Sequence, residues 1–273
     1  MKKIIFSWVS FCFVIIFSFA SCGLLIHFLA KADYSFNRLI VSRHTSLMPF
    51  ANINCPSPVA LSKSEFLDEV RYLGNLKEEL DLLEDGILGR VFLAFQLHPW
   101  VLKVVDVQRD GPKNLKVILD FRNPALVVPI SPIKDQIETP DKFRVVDVNA
   151  VILPKNAIQV GLPVLVNPLP FPMDKAGFQW KNDRVVSCAK VLGYLSEVKF
   201  PKDCFVDLKD GVVLIYSENN IFKIMWSPLS QDEKLATQEI DERKSIIKNK
   251  YSSWVETGMK DGFILDFSAN IPK

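Results

Sequence analysis

The sequence predicts an α+β fold: a single N-terminal transmembrane helix, then two folded modules, the second of them mainly antiparallel β with flanking helices. Three observations predict it. The chain opens with a long uncharged apolar run; two short helical patterns lead straight into a strand pair; and three strand-like runs divided by turn residues precede a long polar helix and a last strand. At 273 residues the chain exceeds the usual ~100–200 residues of one domain, so the expected division is a tail at 1–3, a span at 4–30, a linker at 31–54, a first module at 55–128 and a β-rich module at 129–273.

Residues 4–30 are twenty-seven positions without a formal charge, more than the ~20 needed to cross a bilayer as a helix. Lys2, Lys3 and the terminal amine precede the run, while Lys31, Arg38 and Arg43 follow it, so the positive-inside asymmetry for a cytoplasmic N-terminus is small. Two other readings of the segment are a cleaved signal peptide, which needs a shorter apolar core, and a lipoprotein signal. Phe19-Ala20-Ser21-Cys22 resembles a lipobox, but Gly23-Leu24-Leu25-Ile26 continues the apolar run past it.

Net charge is +2, with acids and bases interleaved, which leaves no electrostatic footprint for nucleic acid. His27, His44 and His98 are scattered and no C-x-x-C spacing occurs, so no metal-ligand pattern is present. Cys12 and Cys22 fall in the apolar run. Cys188 and Cys204 are close enough in sequence to bond across a helix-to-strand junction, or to be two buried thiols; spacing alone leaves both open.

The elements follow in order. Cys55-Pro56-Ser57-Pro58 is a stiff approach, and Val59-Ala60-Leu61 is expected to be a short first strand. Ser62-Lys63-Ser64-Glu65 matches a capping box, so a helix starts at Ser62, with Phe66, Leu67, Val70 and Leu73 on one face and Gly74 ending it. Asp85 is the expected cap of a second helix carrying Ile87, Leu88, Val91, Phe92 and Phe95, stopped by Pro99. Leu115, Val117, Leu119 and Phe121 alternate with Lys116, Asp120 and Arg122, and Val105 and Val107 alternate with Asp106 and Gln108. These are two strands, joined by Asp110-Gly111-Pro112-Lys113-Asn114. Trp100 is expected to plug the base of this hairpin, and His98 to sit at the carboxyl end of the second helix. Arg109 and Arg122 are expected at strand ends, solvated or paired with carboxylates.

Farther on, Val185, Val186, Ala189, Leu192 and Leu195 line a helix. Strand-like runs at 203–208, 212–216 and 221–226 are divided by Lys209-Asp210-Gly211 and Glu218-Asn219-Asn220. A polar helix covers about Asp232 to Ser252, and Lys260-Asp261-Gly262 leads into the last strand, Phe263-Ile264-Leu265-Asp266-Phe267-Ser268.

His98-Pro99-Trp100-Val101, then Val105-x-Val107-x-Arg109-x-x-Pro112-x-x-Leu115, then Arg122-x-Pro124-Ala125 resembles the POTRA domain (β-α-α-β-β) of the FtsQ/DivIB cell-division family. Val146 to Leu153 and Leu162-Pro163-Val164-Leu165 are similar to the start of that family's second, β-rich domain, with Ala150 and Asn167 standing where the family pattern has glycine. The resemblance covers roughly 55–273.

It implies a non-enzymatic scaffold of the bacterial division complex, held by one span in the cytoplasmic membrane with its bulk outside, at the division site. It also implies protein partners resembling FtsB and FtsL, an indirect link to septal peptidoglycan synthases, and neither cofactor nor small-molecule substrate. The partner site it implies is the edge formed by Phe263, Ile264, Leu265, Asp266, Phe267 and Ser268, where an open strand takes an incoming peptide by main-chain hydrogen bonds. Phe263, Leu265 and Phe267 can equally be core. On the edge reading, proline at Leu265 is expected to abolish capture of a partner. A POTRA protein of an envelope assembly or secretion pathway would show tandem modules or a barrel, and an anchored envelope enzyme would show a cleft with convergent polar groups. No G-x-S-x-G elbow or Gly-rich phosphate loop occurs.

Overall fold

The structure, a computed structural model, describes residues 47–267 apart from 112, 132–141, 159, 173, 199–203, 220 and 260–261. The expected span at 4–30 and the tail at 1–3 lie outside the described residues. Among the described residues no helix is long and apolar enough to cross a membrane, so the single transmembrane helix does not form part of this α+β architecture.

The first unit starts earlier than expected. β1 (Leu47–Pro49) is followed by a 3-10 turn at Phe50–Asn52, and Met48, Phe50 and Ile53, in the stretch read as linker, are fully buried. β1 pairs antiparallel with β2 (Glu79–Asp81). The expected first strand, Val59-Ala60-Leu61, is instead turn and bend, with Val59 93% exposed. Pro56 and Pro58 lack the amides a ladder needs, and the bridge to the hairpin is made at Asn54, whose amide donates to Leu115 and whose carbonyl accepts from Val117.

Helix α1 (Lys63–Leu73) begins on the capping box: the Glu65 amide donates to Ser62 Oγ and the Ser62 amide returns to Glu65 Oε2 (3.0 Å). At its end Gly74 lies against α2 (Ile87–Gln96), where an added Cβ would fall 2.3 Å from Ala94 Cβ. The cap of α2 is Gly86, at φ 76°, and not Asp85. Its apolar face (Ile87, Val91, Ala94, Phe95) closes over Phe66 and Val70 of α1 and over Val101, Val104, Leu115 and Val117 of the hairpin. That hairpin is β3 (Val101–Arg109) against β4 (Leu115–Phe121), antiparallel, with register shifts between Val101 and Lys103 and between Val104 and Asp106.

The second unit differs from the mainly antiparallel domain expected. Its strands are β5 (Pro124–Pro129), β6 (Phe143–Asp147), β7 (Val164–Leu165), β8 (Cys204–Lys209), β9 (Val212–Ser217), β10 (Phe222–Trp226) and β11 (Phe263–Asp266). They form one seven-stranded sheet in the order β11-β10-β9-β8-β7-β5-β6. β5–β7, β7–β8 and β10–β11 are parallel, and β5–β6, β8–β9 and β9–β10 antiparallel. For β7–β8 and β10–β11 the physical cause is the helices, whereas between β5 and β7 the chain is reversed by β6. α3 (Asp183–Tyr194) lies between β7 and β8, and α4 (Glu233–Glu256) between β10 and β11, and a helical crossover returns the chain to the end where it started, which makes the next strand parallel.

α3 is capped by the Asn182 side chain and α4 by Asp232. Both helices contribute to the core over one face of the sheet, with Val185, Cys188, Ala189 and Ile247 against Val206, Ile215, Phe222, Ile224, Phe263 and Leu265. Asp210 (φ 52°) and Gly211 (φ 78°) supply the left-handed pair of the tight β8–β9 turn. A third, smaller cluster joins the units: Trp100, Val127, Val145, Leu153 and Ala157. Trp100 is therefore buried at the junction of hairpin and large sheet.

Candidate functional site

The residues singled out in the sequence fall into three places: the junction, the core and the terminal strand. At the junction His98 sits just past the carboxyl end of α2, as expected, its amide donating to the Phe95 carbonyl. It is buried, its Nε2 lies 3.0 Å from Glu69 Oε2, its ring meets Phe66 edge-on, and its Nδ1 accepts from the Trp100 amide (3.3 Å). That contact leaves the proton on Nε2, directed at Glu69. Burial pushes the imidazole below its ordinary range, opposed by the hydrogen bond and charge of Glu69. Arg122 is carboxylate-paired, as one of its two expected readings had it: Nη1 donates to Asp147 Oδ2 (2.8 Å). Arg109 is exposed.

Cys188 and Cys204 both lie in the core of the second unit, Cys188 as a free thiol, so the bond between them is not formed in this structure. Burial pushes the Cys188 thiol up to about 12, and that of Cys55 to about 11. Thiols in that state are poor nucleophiles.

The terminal strand lies at one edge of the large sheet. β11 is the last strand of the sheet, in unbroken parallel register with β10 from Phe222↔Phe263 to Met225↔Asp266. Phe263 and Leu265 are buried, while Ile264 is 61% exposed. The Phe263 ring stacks on Phe222 at 5.1 Å and meets Tyr251 and Trp254 of α4. Burying two such side chains contributes at most about 3–6 kcal/mol toward holding this four-residue strand on β10. Ser268 lies outside the described residues.

Backbone geometry decides which groups point outward. The Phe263 amide donates to the Ile221 carbonyl and the Phe267 amide to the Met225 carbonyl. Amides and carbonyls of alternate residues point to opposite sides of a strand, so Phe263, Leu265 and Phe267 face β10 and Ile264 turns its main chain outward. This corrects the reading of Leu265: a proline there would break the sheet itself. Ile264 carries the edge.

Two other strand edges, those of β3 and β6, differ. β3 carries both register shifts, and its Asp106 side chain takes up the Val107 amide (2.8 Å); bulges and self-satisfied amides blunt an edge against pairing. β6 is followed back by 151–153, through the Val146↔Ile152 bridge and the Leu153 amide on Val145. Among the described residues no strand pairs with the outer side of β11.

Two hollows flank the C-terminal half. One, about 630 Å³, lies between α3 and α4, with Tyr194, Trp226 and Ile240 among its apolar lining and Lys190 and Glu233 among its polar. The other, about 590 Å³, is bounded by Glu239, Glu242, Ile246 and Phe267. Among the described residues no group of His, Cys, Asp and Glu could hold a metal. No protein-family model matches the chain, and no curated protein matches it.

Proposed function

We propose that this protein is a non-enzymatic scaffold of the bacterial cell-division complex, FtsQ/DivIB-like in role. It acts on the outer side of the cytoplasmic membrane at the division site and captures a partner strand along β11. Partners resembling FtsB and FtsL would bind there, and septal peptidoglycan synthases would be reached through them. The observation that carries the reading is the contrast between strand edges: β11 is regular, anchored from beneath by Phe263 and Leu265, and turned outward at Ile264, whereas β3 is bulged and β6 is covered by 151–153. An incoming strand gains main-chain hydrogen bonds from such an edge and is selected by its alternate side chains.

The test is Ile264→Pro in the full chain, with Leu265→Pro alongside. Proline at 264 removes an outward amide and leaves the bonds to β10 intact, so thermal stability should change by less than about 1 kcal/mol. Capture of a small membrane partner from detergent-solubilised membranes should fall at least tenfold. Leu265→Pro should instead unfold or strongly destabilise the second unit. Undiminished capture by folded Ile264→Pro protein sinks the reading.

A further inference from the structure

A hairpin strand has its register set by its turn, but β11 reaches β10 only after the whole of α4, so no local turn fixes where it sits. Side chains must do so. At the amino end the stacked rings of Phe263 and Phe222 serve. At the carboxyl end a single cation gathers three elements. Arg243, on α4, has a side chain only 11% exposed. Its guanidinium carbon lies 5.1 Å from the Trp226 ring centre and 5.5 Å from that of Phe267, and those two rings meet edge-to-face. Nη1 donates to the Ser227 carbonyl (2.9 Å) and Nη2 to the Ser227 hydroxyl oxygen (3.1 Å). The Ser227 hydroxyl in turn donates to the Phe267 carbonyl (2.5 Å). Glu239, one turn earlier on α4, stands 3.6 Å away.

We infer that Arg243 is a positioning residue for the edge strand: its fork and flat face lock Phe267 to Ser227 and Trp226, fixing the carboxyl end of β11 in register so that Ile264 is presented in line. The inference rests on the strand-addition reading for its purpose, but not for its geometry. A guanidinium suits the position because it can stack on the rings and donate in a fork at once; an ammonium does neither well. Burial lowers the pKa of Arg243 while Glu239 and Glu242 raise it, so the two carboxylates support the charge that the rings and Ser227 hold.

Amide hydrogen exchange in deuterated buffer, on the full chain, tests this without any partner. Arg243→Met should speed exchange at the Phe267 amide about tenfold or more, as loss of charge-assisted bonds predicts, while Val206 and Ile215 in β8 and β9 exchange as before. Ser227→Ala should produce a smaller acceleration confined to the same strand. Arg243→Lys should resemble Met more than wild type. Unchanged exchange at Phe267, acceleration spread equally through β8 and β9, or full rescue by Lys would each overturn the assignment. Failure of the parent reading looks different: β11 loosens in Arg243→Met, yet Ile264→Pro still captures its partner.

Discussion

Replacing Asp147 by alanine should unfasten the two units from each other. Asp147 ends β6 and is buried, and its carboxylate holds three donors: Arg122 Nη1 at 2.8 Å, the Asn149 amide at 2.9 Å and the Val151 amide at 2.8 Å. Truncating one member of a buried ion pair costs about 3–5 kcal/mol, but the Arg122 side chain is 15% exposed and can turn partly to water, which favours the lower end. Asn149 is exposed and can bond solvent; Val151 is buried and cannot, which adds a share of the ~1–3 kcal/mol of an orphaned amide. The same carboxylate steadies a turn in which Ala150 sits at φ 58°, a conformation that costs a residue with a Cβ about 1–2 kcal/mol. Because these contributions overlap, the expected loss is about 3–4 kcal/mol, or roughly 10 °C in melting temperature for a chain of this size. Urea and thermal unfolding of Asp147→Ala measure it. Asp147→Asn keeps the Oδ1 acceptor that takes both amides and loses the pairing with Arg122, and should lose about half as much. A loss below about 1 kcal/mol for the alanine variant would refute the reasoning that this carboxylate fixes the junction.

Gly74→Ala should destabilise the first unit by about 1–3 kcal/mol through overpacking against Ala94, and Ala94→Gly in the same chain should recover part of it in urea midpoints. Because burial lowers the folded-state pKa of His98, the unfolded chain takes up its proton first, at its ordinary value of about 6.5. The His98 contribution is therefore complete above that pH and is lost as pH falls from 6.5 through the lower folded value. As pH falls below about 6.5, wild type should lose stability that a His98→Gln variant does not, and parallel curves would refute this. Alkylation should label neither Cys55 nor Cys188 in the native protein and both in urea without reductant. Failure of Cys188 to react in urea would reveal that it is bonded after all.

Much of the first unit was legible because local chemistry decides it. The Ser62–Glu65 box, the helix stop at Gly74 and the alternation of Leu115, Val117 and Leu119 each settle an element from neighbours in sequence. Val59–Leu61 misled because its β-branched and aliphatic composition outweighed the two prolines before it, and Leu47–Pro49 was hidden by its shortness. Ala150 and Asn167 both adopt left-handed backbone (φ 58° and 62°), a conformation that favours glycine and that neither residue signals from its neighbours in sequence. In the second unit strand positions were readable but directions were not. Two of the three parallel pairings follow from crossovers through α3 and α4, and periodicity within a strand carries no sign of its partner's direction. The same gap hid the site detail: which β11 residue faces outward depends on register against β10, and Arg243 and Ser227 are brought to Phe267 only by that register.

The order of strands in the large sheet also sets a distance. β11 and β5 are its first and sixth strands, five spacings apart along the hydrogen-bonding direction, or about 24 Å at ~4.8 Å per strand, and β5 is where the hairpin unit leans through Val127 and Trp100. The sheet is thus a rigid spacer: a guest at the far strand and another seated on the hairpin unit would be kept a fixed stand-off apart, neither crowding the other.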